Sequence, residues 1–174
     1  SAAYAAAFAV DGTPTVFIED LFDLGKLGNR FVHDPKVASQ LPVRSDLANL
    51  IWCHQNLRFK EGAYKVPHGS GDLLVIERSA RAIIGITDSW TNWQTQMVTT
   101  DFPSGTVLKD HSGATIETVT VSGGTVTIKV PPCDGSAIGG RRCYAVWGPV
   151  DPPGFKMTPR PTTQEWELND DLGD

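Results

Sequence analysis

The stretch GTPTVFIED, residues 12–20, determines how this chain of 174 residues is interpreted. Within it, residues 15–18 form a short continuous run of apolar and β-branched side chains, which is typical of a strand buried on both faces. The alanine-rich segment before it, residues 1–10, carries Tyr4 and Phe8 on one helical face. We therefore expect a helix followed by a buried strand.

A second helix is predicted over residues 45–60. Ser45 is a suitable N-cap for this helix, and Gly62 is a suitable residue for its C-terminal end. Its apolar face consists of Leu47, Leu50, Ile51 and Leu57. The segment between the predicted strand and this helix, residues 20–44, contains glycines and prolines and is predicted to be mostly loop.

Residues 66–149 have the pattern of a β domain. Apolar runs at residues 73–76 and 82–86 predict two buried strands joined by a tight turn. Two alternating segments, residues 119–121 and 126–130, are separated by a Ser-Gly-Gly sequence that predicts a hairpin. With a last strand starting at Cys143, these segments indicate a β-sandwich or Greek-key domain of about seven strands.

The chain therefore divides into three parts. Residues 1–65 have an α/β pattern, residues 66–149 are all-β, and residues 150–174 form a proline-rich linker with an acidic tail. The predicted fold class is α+β.

The composition argues against several kinds of function. Lys and Arg total 15 against 20 Asp and Glu, for a net charge of −5, and no basic stripe indicates a nucleic-acid partner. No apolar run approaches the roughly 20 residues that span a bilayer. The four histidines form no pair with metal-binding spacing, so we expect no metal site. We expect no other cofactor in this chain either.

The three cysteines fall in two settings. Cys53 lies in the second predicted helix and is expected to be a buried thiol. Cys133 and Cys143 flank a glycine-rich loop, and we expect a disulfide between them, with two free thiols as the alternative. A bridge would contribute about 2–3 kcal/mol in the chain-entropy account and would indicate an oxidising compartment.

The order of these elements resembles the C-terminal part of an α-amylase-type glycoside hydrolase, that is, the end of its (β/α)₈ barrel plus its antiparallel β domain. The G-x-P-x-V-F-Y motif of that family's eighth barrel strand is matched by Gly12, Thr13, Pro14, Val16 and Phe17. Ile18 stands where the family has Tyr, which removes a hydroxyl group near the end of the strand. Residues 105–110, 126–130 and 144–147 match the family's β domain in order and spacing.

The resemblance implies retaining hydrolysis of α-1,4-glucans by a secreted enzyme. Such chemistry needs a carboxylate nucleophile and a carboxylic general acid about 5 Å apart. The family supplies both from earlier barrel strands, and no residue of this chain matches them, so no catalytic residue is carried over. The implied partner is an upstream catalytic barrel in the same or an associated chain. Glu19 and Asp20 would lie near the active-site rim, with loop charge or a helix cap as the alternative.

Two tryptophans are candidates for glucan binding. Trp90 and Trp93 lie in a turn-rich stretch after a predicted strand, where their faces could stack on sugar rings. The alternative is that they fill the core of the β domain, as we expect of Trp147 in the last strand.

Two other classes of function stay open from the sequence. One is a stand-alone carbohydrate-binding or adhesion module without catalysis, which would bind starch or maltooligosaccharides through Trp90 and Trp93. The other is a structural or assembly protein that uses residues 150–174 to connect to further domains.

Overall fold

The structure is a computed structural model, and it describes residues 2–21, 44–152 and 157–158. Most of the loop predicted over residues 20–44 lies outside these ranges, as do the acidic residues of the tail. Within the ranges, the helices are α1 (Ala2–Ala9), α2 (Ile18–Leu21) and α3 (Ser45–Asn56), with 3₁₀ turns at Phe59–Glu61 and Ile138–Gly140. Among these residues, no helix is long and apolar enough to cross a bilayer.

Eight strands follow the helices along the described part of the chain. They are β1 (Tyr64–Gly69), β2 (Leu73–Arg78), β3 (Ala82–Thr87), β4 (Gln94–Thr99), β5 (Val107–Asp110), β6 (Thr118–Thr120), β7 (Thr125–Val130) and β8 (Tyr144–Pro149). Six strands form an antiparallel sheet in the order β1-β2-β3-β8-β5-β6, and β4 pairs with β7 in a separate antiparallel sheet. The expected α+β class with antiparallel sheets is therefore confirmed.

The six-stranded sheet is covered on both faces. Alternate residues along its strands point to opposite sides, so Tyr144 and Val146 of β8 pack in one core while Ala145 and Trp147 pack in the other. The first core is completed by α1, α3 and the 3₁₀ turn, through Ala5, Phe8, Ala9, Leu50, Trp52, Cys53, Leu57 and Phe59. The second core contains Val98 of β4 and three residues of β7. The small sheet thus packs against the face opposite the helices.

The helices are also joined to the sheet by a buried arginine. The Arg78 side chain, at the end of β2, donates to the Phe59 carbonyl at 2.8 Å and to the Ala9 carbonyl at 3.3 Å. It also pairs with the exposed Asp11 carboxylate at 2.7 Å. One side chain therefore fixes the end of α1 and the 3₁₀ turn to the sheet.

The end of the described chain returns to α3. Thr158 donates through its backbone N–H to the Asn56 side chain at 2.7 Å, and its carbonyl accepts from the Trp52 indole at 3.1 Å. Met157 packs on the helix-side core.

The strand predicted at residues 15–18 is not formed. Residues 13–17 belong to no helix or strand within the described part of the chain, and α2 begins at Ile18. The carbonyl of Phe17 accepts hydrogen bonds from the backbone N–H groups of Asp20 and Leu21, both at 3.1 Å, which begins a helical turn. Local hydrogen bonding therefore replaces the sheet pairing that the apolar run suggested.

The hairpin predicted between residues 119–121 and 126–130 is also wrong in its pairing. Ser122 and Thr125 bond to each other's backbone across the tight turn, as the Ser-Gly-Gly sequence predicts. However, β6 pairs with β5 and β7 pairs with β4, so the chain changes sheets at this turn.

The N-cap of α3 differs from the expected one as well. Arg44 occupies the cap position without a side-chain cap, and Ser45 is the first helical residue. The Arg44 guanidinium instead binds the Asp46 carboxylate at 2.8 Å.

We predict that Gly85→Ala destabilises the protein by about 1–3 kcal/mol, the usual range for overpacking. A Cβ at this position of β3 would lie 2.3 Å from the Val130 methyl group on the small sheet. The measurement is the free energy of urea unfolding. The matched control is Gly69→Ala, where a Cβ meets nothing within 4 Å. Equal stability of the two variants would show that the sheets are not in contact at Gly85.

Candidate functional site

The loop of residues 88–93, which joins β3 to β4, carries two exposed tryptophans. The exposed fraction is 65% for Trp90 and 40% for Trp93. Neither residue belongs to the two buried cores. The structure therefore places both side chains on the surface, where they are available to a ligand, and not in the core.

Strand β4 follows this loop and carries a further exposed apolar residue. Alternation places Trp93, Thr95 and Met97 on the outer face of the small sheet, and Met97 is 64% exposed. On the neighbouring strand, Thr127 lies opposite Met97 and Lys129 lies opposite Thr95. The sequence reasoning missed Met97, although the Trp-x-Thr-x-Met alternation places it on the same face as Trp93. We call Trp90, Trp93 and Met97 the tryptophan face.

The loop of residues 88–93 is held by hydrogen bonds to the segment that follows β7. The backbone N–H of Cys133 donates to the Ser89 carbonyl at 2.9 Å, and that of Asp134 donates to the Trp90 carbonyl at 2.9 Å. The Thr87 hydroxyl donates to the Asp72 carbonyl at 2.7 Å and accepts from the Ser89 N–H at 3.0 Å. The loop that carries Trp90 is therefore positioned by its backbone.

The expected disulfide is not present in the structure. Cys133 and Cys143 are both free thiols, and so is the buried Cys53. The two loop cysteines nevertheless lie at one place, because the backbone N–H of Cys143 donates to the carbonyl of Pro132, the residue before Cys133, at 3.1 Å. Burial, followed by hydrogen bonding with the Cys133 side chain, raises the pKa of the Cys143 thiol to about 12.

The two acidic candidates lie on α2. The Asp20 carboxylate accepts a hydrogen bond from the Tyr4 hydroxyl at 2.5 Å, which raises the pKa of Tyr4 above its ordinary value. Tyr4 also accepts from the Phe17 backbone N–H at 3.4 Å. Asp20 therefore joins α2 to α1. The side chain of Glu19 lies outside the described part of the structure.

Trp147 has the structural role that its position predicts. It is fully buried in β8, and its indole N–H donates to the Lys129 carbonyl of β7 at 2.9 Å. Among residues 2–21, 44–152 and 157–158, no cluster of three or more His, Cys, Asp or Glu side chains could hold a metal ion.

A concave pocket of about 610 Å³ lies elsewhere, beside the turn between β2 and β3. Phe102, Pro103 and Val107 contribute apolar walls. The Arg81 guanidinium in this pocket is paired with the Glu61 carboxylate at 3.1 Å. None of the candidate residues from the sequence lines this pocket.

Comparison by sequence finds no matching protein family and no matching curated protein. Comparison by structure finds amylase-type enzymes. A γ-CGTase from an alkalophilic Bacillus clarkii matches with a TM-score of 0.55 and 18% identity, over 84% of this chain and 22% of that one. An α-amylase from Malbranchea cinnamomea matches with a TM-score of 0.44 and 14% identity, over 58% of this chain and 21% of that one.

A third match is an Anoxybacillus α-amylase, with a TM-score of 0.46 and 14% identity over 85% of this chain and 28% of that one. The chain thus spans between 21% and 28% of the length of these enzymes. The γ-CGTase likeness shows that the fold is shared with part of an amylase-type enzyme, as the sequence resemblance led us to expect.

We predict that Trp90→Ala changes the free energy of unfolding by no more than about 0.5 kcal/mol, as is usual for an exposed side chain. Trp147→Ala should cost about 3–5 kcal/mol because it leaves a cavity between the sheets. Chemical denaturation of both variants measures the difference. A large loss for Trp90→Ala would assign Trp90 to the core and remove it from the candidate site.

Proposed function

We propose that this chain is the C-terminal portion of a secreted, α-amylase-like glycoside hydrolase that acts on α-1,4-glucans. In this proposal the catalytic carboxylates belong to a barrel supplied by other polypeptide, and the present residues stabilise that barrel. The shared fold with part of the γ-CGTase supports this assignment. The residues of the chain itself supply no catalytic group in the proposal.

The surface around Phe17 is the observation that carries the proposal. Phe17 is 68% exposed and Val10 is also exposed, although both lie in the segment that matches a barrel strand and its flanks. Residues 13–17 carry no strand pairing within the described part of the chain. Docking against an upstream barrel would bury the exposed apolar surface of this segment.

We predict that Phe17→Ser is neutral in the isolated chain but destabilises the native polypeptide that contains it. Burial of a large apolar side chain contributes about 1.5–3 kcal/mol, so the melting temperature of the longer protein should fall by at least about 3 °C. Thermal unfolding of both forms provides the measurement, with starch hydrolysis as the accompanying assay.

The matched control is Ile116→Ser, because Ile116 is 88% exposed and lies in the β domain away from the matched barrel segment. It should leave both forms unchanged. If the native polypeptide is the present chain alone, or if Phe17→Ser and Ile116→Ser behave alike in a longer one, the docking proposal fails.

A second function is favoured by the tryptophan face, namely binding of an α-glucan or maltooligosaccharide away from any catalytic centre. Trp90 and Trp93 are exposed three positions apart on a loop whose backbone is held by hydrogen bonds, so little ordering cost would oppose stacking on sugar rings. Thr95 and Thr127 place hydroxyl groups on the adjoining strands, where sugar hydroxyls could bond to them. This function needs no barrel and would also suit a stand-alone carbohydrate-binding module.

We predict that the isolated chain binds maltoheptaose and that Trp90→Ala or Trp93→Ala weakens binding about tenfold, equivalent to about 1.4 kcal/mol. Isothermal titration calorimetry measures the affinity. Tyr64→Ala removes a comparably exposed aromatic ring from the edge strand β1 and should have no effect. Equal affinity of the tryptophan variants and the Tyr64 variant would rule out the tryptophan face as the glucan site.

A further inference from the structure

The segment of residues 133–143, here called the cysteine loop, is closed at its base. The backbone N–H of Cys143 donates to the Pro132 carbonyl at 3.1 Å, which brings the two ends of the loop together. Both cysteines lie at this base, and both are only half-buried. Two half-buried thiols at the closed base of a short loop are an arrangement from which a disulfide can form without a large backbone movement.

Both cysteines contact Thr87, the last residue of β3. The Thr87 N–H donates to the Cys143 carbonyl at 2.8 Å, and the Cys133 thiol donates to the Thr87 carbonyl at 3.4 Å. The next residues along the chain, Ser89 and Trp90, accept the backbone bonds from Cys133 and Asp134 described above. The position of Trp90 is therefore set by the same few residues that hold the thiol pair.

The backbone at Cys143 is held in an uncommon conformation. Its φ is +64°, in the left-handed region that non-glycine residues seldom adopt. Such a conformation persists where the surroundings fix it, and here the bonds to Pro132 and Thr87 do so.

We propose that Cys133 and Cys143 form a redox-reversible latch, which closes as a disulfide and then fixes the loop that carries Trp90 and Trp93. The site is a modification site with a small-molecule disulfide such as oxidised glutathione as its oxidant. Its effect on ligand binding rests on the proposed glucan site, whereas formation of the bridge does not.

The chemistry has two steps. The Cys133 thiolate attacks one sulfur of oxidised glutathione, which breaks the S–S bond and releases one glutathione thiolate that takes up a proton. The Cys143 thiol then loses its proton to solvent as its sulfur attacks the mixed disulfide at Cys133, releasing the second glutathione. The protein loses two electrons and two protons, and one glutathione disulfide becomes two thiols.

The first experiment uses the unmodified chain, incubated with oxidised glutathione and analysed by intact mass and peptide mapping. We expect a species lighter by two hydrogen atoms, with the bridge between Cys133 and Cys143, and full reversal by dithiothreitol. Cys53, which is completely buried, should stay reduced and serves as the internal control. Failure to form the bridge, a stable adduct with glutathione, or a bridge that involves Cys53 would overturn the proposal.

Hydrogen exchange then tests the effect of the latch on the loop. The amides of Cys133 and Asp134, which bond to the loop, should exchange at least about threefold more slowly in the oxidised protein. Cys143→Ser cannot form the bridge, so its exchange should not respond to the oxidant. Unchanged exchange after complete oxidation of the unmodified chain would show a bridge that does not act as a latch.

Titration with maltoheptaose separates this proposal from the proposed glucan site. If the face binds glucan, the oxidised form should bind about threefold more tightly than the reduced form because the loop is already ordered. Equal affinity of the two forms would overturn the link between latch and binding. If neither form binds maltoheptaose, the glucan site fails, and the mass and exchange results still decide the latch.

Discussion

Burial of the central strands on both faces is the constraint on which the rest of this structure depends. Every residue of β8 is buried, although the strand lies in an antiparallel sheet, because α1 and α3 cover one face and the small sheet covers the other. The helices and the small sheet approach the central strands so closely that some positions have room only for glycine. A Cβ at Gly148 would lie 2.8 Å from Leu57 on the helix side. On the opposite side, a Cβ at Gly85 would collide with Val130 of the small sheet.

Polar groups inside such a sheet must be satisfied by the protein itself. The buried Asp110 carboxylate accepts from the backbone N–H of Val146 at 3.2 Å and from backbone groups of the following turn, including Ala114 at 2.8 Å. The buried Glu77 carboxylate of β2 is also satisfied by the protein, because it accepts from the Thr100 hydroxyl and the Asp101 N–H, both at 2.9 Å. These two carboxylates are therefore structural.

The sequence predicted the elements better than their partners. Leu73 to Ile76 and the segment ending at Trp147 formed the expected buried strands, since their apolar runs leave few alternatives. The run at residues 15–18 did not, because a strand needs a partner and none pairs with it within residues 2–21 and 44–152. A turn sequence likewise predicts a reversal but not which sheet each arm joins. Met97 was missed because no strand was predicted over residues 94–99, so the alternation that places it with Trp93 was not applied.

The proposed functions follow from what these constraints leave exposed. The central strands are largely committed to packing, so the described surface that ligands and partners can reach lies mostly on loops, on edge strands and on the outer face of the small sheet. Trp90 lies on such a loop, and its backbone is fixed by Cys133 and Asp134. A rigid loop with an exposed ring suits binding, because the ordering cost is met during folding. Phe17 differs, since its segment has no strand partner within the described residues, and an exposed ring on such a segment fits docking to a further polypeptide better than binding of a sugar.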